Sequence, residues 1–167
     1  MHQEAFQFVQ RYAAMLPGRH SVCELGSRDV NGSVRPLFAS AACYLGIDTA
    51  PGPGVDLVAD AADGRPQDGQ RFDTVVSTEC LEHTSAADKV CQTAYEILDV
   101  GGVFLVTAAG VMRAPHSGVD GGRLRAGEWY ANITAADLRE WLKPFAVALV
   151  DDFSRTGDIY AFAVQVR

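Results

Sequence analysis

The chain lacks a CxxC pair or any other cysteine spacing that suits a metal. Its four cysteines, Cys23, Cys43, Cys80 and Cys91, are dispersed, and three sit in apolar runs where cysteine behaves as a small core residue. A disulfide framework is therefore not expected. No apolar run reaches the roughly 18 residues of a membrane span. The opening MHQEAFQFVQRY has neither the basic start nor the apolar block of a secretion signal. These absences lead to the expectation of a reduced, cytoplasmic protein with no membrane partner. Basic residues are also scarce, 14 against 21 acidic ones, for a net charge of −7. A protein that tracks a phosphate backbone usually carries a basic stripe. The one cluster here, Arg113 with Arg123 and Arg125, suits a solvated loop or a grip on a small anion. Nucleic acid is thus a disfavoured partner. No internal repeat is visible.

What is present suits one globular domain over residues 1–167, with 48% hydrophobic and 21% charged residues. Phe6, Val9, Ala13 and Leu16 recur at helical spacing, so residues 3–16 read as an amphipathic helix ended by Pro17-Gly18. Strands are expected at 21–25, 43–48, 55–59, 72–77 and 103–108. A short helix is expected near 36–41, limited backwards by Pro36. The link TAPGPG before the third strand is too short for a helix, so that crossover is either a bare loop or the strand is an edge fragment. Residues 61–71 read as loop. A helix is expected over 85–98 with Ser85 as N-cap, stopped by Gly101-Gly102. Residues 109–133 show no period. Thr134 with Asp137 resembles a capping box for a helix to Leu142. Two strands, 145–150 and 159–166, then form a hairpin across the polar turn DDFSRTGD. The alternation argues an α/β fold: a doubly wound, mostly parallel, seven-stranded Rossmann-like sheet with a C-terminal antiparallel β-hairpin.

The chemistry concentrates in residues 21–48. The first strand ends in Glu24-Leu-Gly26 and the second in Asp48. Ligands of open α/β sheets bind beyond the carboxyl ends of the strands. A glycine turn there admits backbone to a ligand, and a carboxylate accepts two hydroxyl hydrogens of a ribose. Such a pair suits a nucleoside cofactor. Glu24 and Asp48 each have a plainer reading, as a solvated strand-end acid and as the first residue of a turn.

Four segments, CELGSRDVNGS, YLGIDTAPGPGVDLVADA, FDTVVSTECLEHT and ILDVGGVFLVT, occur in an order and spacing that resemble the class I S-adenosylmethionine-dependent methyltransferases, most closely the small single-domain members. The resemblance implies S-adenosylmethionine as cofactor, S-adenosylhomocysteine as product and no metal. It implies that Glu24 meets the methionine end of the cofactor and that Gly26, with Ser27 and Arg28 after it, forms the turn beside it. Asp48, with Thr49, would take the ribose. Asp60 and Ala61 would take the adenine, and Ser77, Thr78 and Glu79 would line the methyl-transfer cleft. His83 and His116 are the candidates for a catalytic base, although His83 could equally anchor its loop. Glu128, Trp129 and Tyr130 are candidates for acceptor binding. The asparagine-proline-proline-aromatic signature of DNA amino-methylases is absent after the fourth strand, which, with the acidic charge, favours a small-molecule or other non-nucleic acceptor. A homodimer stays open.

The turn departs from the family's alternating glycines by placing Arg28 and Val30 there. Arg28 either folds outward, pairs with the cofactor carboxylate or fills the pocket. In the last case the chain would be a non-catalytic binding or partner module. A nicotinamide-dependent oxidoreductase would want G-x-G-x-x-G after the first strand, and Arg28 and Asn31 occupy the later glycine positions.

Overall fold

In the computed structural model, residues 2–16, 20–63, 66, 69–152 and 155–166 are described. Pro17, Gly18, Asp68 and the turn residues Phe153 and Ser154, on which some sequence expectations fall, lie outside them. Helix α1 spans Gln3–Ala13. Strands β1 (Ser21–Leu25) and β2 (Cys43–Asp48) follow, joined by a loop holding a 3-10 turn, Arg35–Phe38. Next come β3 (Leu57–Val58), β4 (Phe72–Thr78), a second 3-10 turn (Leu81–His83), α2 (Ala87–Ile97) and β5 (Leu98–Ala109). Helix α3 (Ala135–Trp141) and strands β6 (Val147–Asp151) and β7 (Asp158–Val164) complete the fold.

The sheet has seven strands in the order β3-β2-β1-β4-β5-β7-β6. The first five run parallel, and β7 is antiparallel to both β5 and β6. The doubly wound, mostly parallel sheet and its terminal hairpin are as expected. Strand order reverses between β1 and β4, so a crevice opens beyond their carboxyl ends.

Side-chain alternation covers both faces, as a parallel sheet requires. Cys23, Val75 and Phe104 face a core shared with Val90, Ala94 and Ile97 of α2 and Leu138 of α3. Their neighbours Val22, Val76 and Leu105 face Val9 of α1 and Phe38. On that second side Phe8 and Tyr12 stack on Tyr160 and Phe162 of β7, with ring centroids 5.1 and 4.6 Å apart.

Several local expectations are corrected. The helix near 36–41 is only the 3-10 turn Arg35–Phe38, with Pro36 inside its first turn. Arg35 pins it by donating to Gly54 O and Asp56. The two readings of the third strand both hold: β3 is a two-residue edge fragment reached by a bare loop. That loop lies flat on β2, since a Cβ on Gly46 would stand 2.1 Å from Gly54 O. Helix α2 begins two residues later than expected. Its N-cap is Ala86, without a side-chain bond, because Thr84 Oγ1 takes the Ala86 N–H instead. It ends at Ile97, and Leu98 already pairs with Phe72, so Gly101-Gly102 lie inside β5, at the irregularity in its pairing with β4, rather than stop the helix. The capping box at Thr134 and Asp137 is present in both directions.

Among the described residues all four cysteines are free thiols. Among the described residues no helix is long and apolar enough to cross a membrane.

Candidate active site

Beyond the carboxyl ends of β1 and β4 lies one open cavity of about 870 Å3, within the range of small-molecule and cofactor sites. Glu24, Gly26, Ser27, Arg28, Asp48, Thr49, Asp60, Ala61, Thr78 and Glu79 line one part of it, and His83, His116, Glu128 and Trp129 line the other. Fourteen of the sequence-predicted site residues thus come together. Ser77 does not: it is fully buried within β4. Tyr130 stands behind the wall, edge-on to the His83 and His116 rings at 5.5 and 5.1 Å.

At the end of β1, Glu24 is 2% exposed, and the Tyr44 hydroxyl donates to its Oε2 at 2.7 Å. Burial pushes the Glu24 carboxyl up to about 7, against the pull of the Tyr44 bond and the Arg35 charge. Gly26 adopts φ +81°, and a Cβ there would lie 2.6 Å from Cys80 Cβ and Sγ, so this position requires glycine. The Gly26 and Ser27 N–H groups both bond Ile47 O.

Arg28 uses its two ends separately. Its backbone N–H donates to Asp48 Oδ2 at 3.1 Å. Its guanidinium crosses to the loop after β5 and donates to Gly118 O and Val119 O, each at 3.1 Å, while its stem lies against Gly52. The side chain therefore ties the turn to the overhanging loop and leaves the cavity open. Asp48 Oδ1 also accepts from Ala50 N at 3.1 Å. Thr49 Oγ1 lies 3.5 Å from the same oxygen, and Oδ2 keeps a second lone pair for a ligand. Asp60 Oδ1 accepts from Ala62 N at 2.8 Å, the geometry of an Asx turn, so one oxygen is committed to the loop.

Glu79 is the only non-glycine at positive φ (+51°) among the described residues. Its carboxylate is held by Thr107 Oγ1 at 3.2 Å and Arg113 at 3.3 Å. Arg113 is also paired with Asp158, and His2 Nδ1 lies 3.0 Å from both Arg113 and Asp158. Hence Arg113 is neither solvated nor part of an anion grip, and Arg125 is spent on Asp120. Sequence reading missed Tyr44, Arg113 and Asp158, because their partners are 20 to 45 residues away.

The loop 110–133 forms the overhang. Asn132 Nδ2 donates to Gly110 O and Arg113 O, and Glu128 accepts from Ser117 Oγ and Arg125 N, each at 2.7 Å. Glu128 faces the cavity but is already committed to holding the loop together. His83 is pushed down to about 4 by burial and the neighbouring His116, so it is neutral at ordinary pH. Next to it, Glu82 is fully buried and neither carboxyl oxygen has a hydrogen-bond partner. Burial and the Glu79 charge push it up to about 8.

The strand-order switch with carboxylates at the ends of β1 and β2 is the arrangement that the sequence resemblance implies. The family described as "Methyltransferase domain" matches residues 34–106. No curated protein sequence matches the chain. Similar solved structures include the 1,6-didemethyltoxoflavin N1-methyltransferase of Burkholderia thailandensis (16% identity, TM-score 0.68, 99% of this chain and 78% of that one). The N-methyltransferase NodS of Bradyrhizobium japonicum is another (12%, 0.66, 99% and 87%). Magnesium protoporphyrin IX methyltransferase of Synechocystis is a third (19%, 0.64, 98% and 79%).

Proposed function

We propose that the protein transfers the methyl group of S-adenosylmethionine to a small, non-nucleic acceptor. The observation that carries this reading is the continuity of the cavity: one space joins the Glu24 and Asp48 end to the His83 and His116 wall. The donor set fits the cofactor. Glu24 offers a buried carboxylate for its ammonium, Asp48 offers a carboxylate for the ribose with a free lone pair on Oδ2, and Asp60 keeps one oxygen uncommitted. When bound, the cofactor supplies a methyl group already activated by its sulfonium charge.

The protein's task is then alignment and exclusion of water. Glu24 and Asp48 hold the cofactor end, while Thr78 and Glu79 line the passage. The loop 110–133 covers the acceptor side, with half-exposed Trp129 as an apolar surface for the acceptor. His83 and His116, together with Tyr130 behind them, orient the acceptor. Solved relatives act on a toxoflavin precursor and on magnesium protoporphyrin IX, which supports a small-molecule acceptor. The net charge of −7 works against a polyanionic one. We place the enzyme in the cytoplasm. A homodimer would form through β6, the open edge of the sheet, where Val147 and Leu149 are exposed.

Calorimetric titration with S-adenosylhomocysteine tests the reading. One site with micromolar affinity is expected, and none with NAD. Absence of S-adenosylhomocysteine binding by the folded protein overturns it.

A further inference from the structure

The sequence leads to no expectation of a metal, since its cysteines show no metal spacing and the resemblance implies none. Folding brings together what spacing does not. One ligand atom from each of Glu82, His83 and His116 can be chosen so that all three lie within 4.8 Å of one another. Glu82 and His83 come from the 3-10 turn after β4, and His116 from the loop 110–133.

Two observations separate this cluster from a chance meeting of side chains. First, Glu82 is fully buried with both carboxyl oxygens unpartnered. A buried carboxylate without a donor costs several kcal/mol by order of magnitude, so its position calls for a cation or proton partner. The nearest fixed cation, Arg113, is engaged by Glu79 and Asp158. Second, His116 is pre-oriented. Its Nδ1 lies 3.1 Å from Ala114 O, a pure acceptor, so Nδ1 carries the hydrogen and Nε2 keeps its lone pair. A carbonyl bonded to the far ring nitrogen is the usual outer support of a metal-ligating histidine.

We propose that Glu82, His83 and His116 form a binding site for one divalent first-row transition metal ion on the acceptor side of the cavity. Two imidazole nitrogens and one carboxylate oxygen suit Zn2+, Mn2+, Fe2+ or Co2+ rather than Ca2+. Ligands bound at about 2.0–2.2 Å to one ion sit roughly 3 to 3.5 Å apart in tetrahedral geometry. The observed spread closes to that with side-chain movements of about an ångström. Three protein ligands leave coordination positions free, and His83 and His116 both line the cavity. An acceptor bearing an oxygen or nitrogen donor would complete the shell there. The ion would hold that atom towards the cofactor and ease loss of its proton. Glu79 stays outside the set, because Thr107 and Arg113 occupy its oxygens.

The role in acceptor binding rests on the proposed methyl transfer, but the ion site does not, and its test is independent of activity. The untagged protein is stripped with a chelator and titrated with Zn2+, Mn2+ and Co2+ by calorimetry. Co2+ is also followed by its visible absorption. The expected result is one ion per chain with a dissociation constant below 100 μM for at least one metal, and ligand-field bands with Co2+. His116→Ala, in a surface loop, and Glu82→Gln, which keeps side-chain volume, should each weaken that binding at least tenfold. S-adenosylhomocysteine affinity of His116→Ala should stay within threefold. Asp48→Ala should keep the metal and lose the nucleoside, which separates failure of this site from failure of the cofactor reading. No binding below 100 μM for any of the three ions overturns the proposal. So does binding that His116→Ala leaves unchanged, since that would place the ion elsewhere.

Discussion

Tyr44 of β2 donates its phenolic hydrogen to Glu24 of β1 over 2.7 Å, and of the two only Glu24 lines the cavity. Arg35 lies over the Tyr44 ring, 4.6 Å from its centroid, which places a positive charge behind the pair. Asp29 and Asp48 add negative charge near Glu24, so the carboxyl sits between one remote cation and two acids.

A pH dependence follows. Glu24 titrates near 7 in the folded protein and near 4.5 when unfolded. Its folded value is raised, so its contribution to stability is complete below about 4.5 and is lost as pH rises through 7. Between pH 5 and 8 the ligand-free protein should lose stability on the order of 3 kcal/mol from this group. Glu24→Gln should flatten that part of the slope in denaturant titrations run across the range. An ammonium ligand needs the ionised form, so S-adenosylhomocysteine should bind more tightly at pH 8 than at pH 6. Equal affinity at both would separate Glu24 from the amino end of the ligand.

Asp48→Ala removes the carboxylate assigned to the ribose. It also frees the backbone N–H groups of Arg28 and Ala50. S-adenosylhomocysteine affinity should fall more than tenfold, about 1.4 kcal/mol or more. Calorimetry on a variant with an unchanged circular dichroism spectrum checks this.

Gly26→Ala combines a left-handed backbone with a collision against Cys80. The expected loss is about 2 to 4 kcal/mol. Thermal unfolding should show it as a drop of roughly 5 to 10 °C for a domain of this size. Cys80→Gly in the same background should recover part of the loss, because it removes both the Cβ and the Sγ that collide while the left-handed backbone stays strained.

Arg28→Ala cuts the two bonds to Gly118 and Val119. Hydrogen exchange should quicken across residues 116–122. S-adenosylhomocysteine affinity should change by less than threefold, since the guanidinium holds the loop. A tenfold loss of affinity with unchanged exchange would instead assign Arg28 to the ligand.

Thr134→Ala removes the hydroxyl that accepts from Asp137 N and donates to its carboxylate, and leaves the backbone N–H of residue 134 on Asp137 Oδ2. A cost of about 1 kcal/mol is expected, with cofactor binding untouched, because α3 packs on the face away from α1. Chemical denaturation of the variant reads it directly.

The strands were legible because β1, β2, β4 and β5 carry unbroken apolar runs, and the ends of the first two carry their acids in plain view. The capping box at Thr134 was legible for the same reason, that its partners are three residues apart. Helix boundaries at Ser85 and Gly101 were misplaced, since Thr84 competes for the cap and strand pairing at Leu98 overrides the glycines. The direction of Arg28 was undecidable from sequence. Its acceptors are backbone carbonyls some 90 residues on, and a carbonyl leaves no residue-type signature. Arg113 was misread for a related reason, that its acids lie just after β4 and on β7. The convergence of Glu82, His83 and His116 depends on how the loop 110–133 folds back, and nothing periodic in that loop reveals it.

That loop is one uninterrupted segment between β5 and α3, pinned at its far end by Asn132 and at its tip by Glu128. The two halves of the cavity therefore come from different kinds of segment. One half is spread over four strand ends, each tied into the sheet. The other is largely a cassette, so under the proposed function exchanging 110–133 would change the acceptor while leaving the Glu24 and Asp48 end intact.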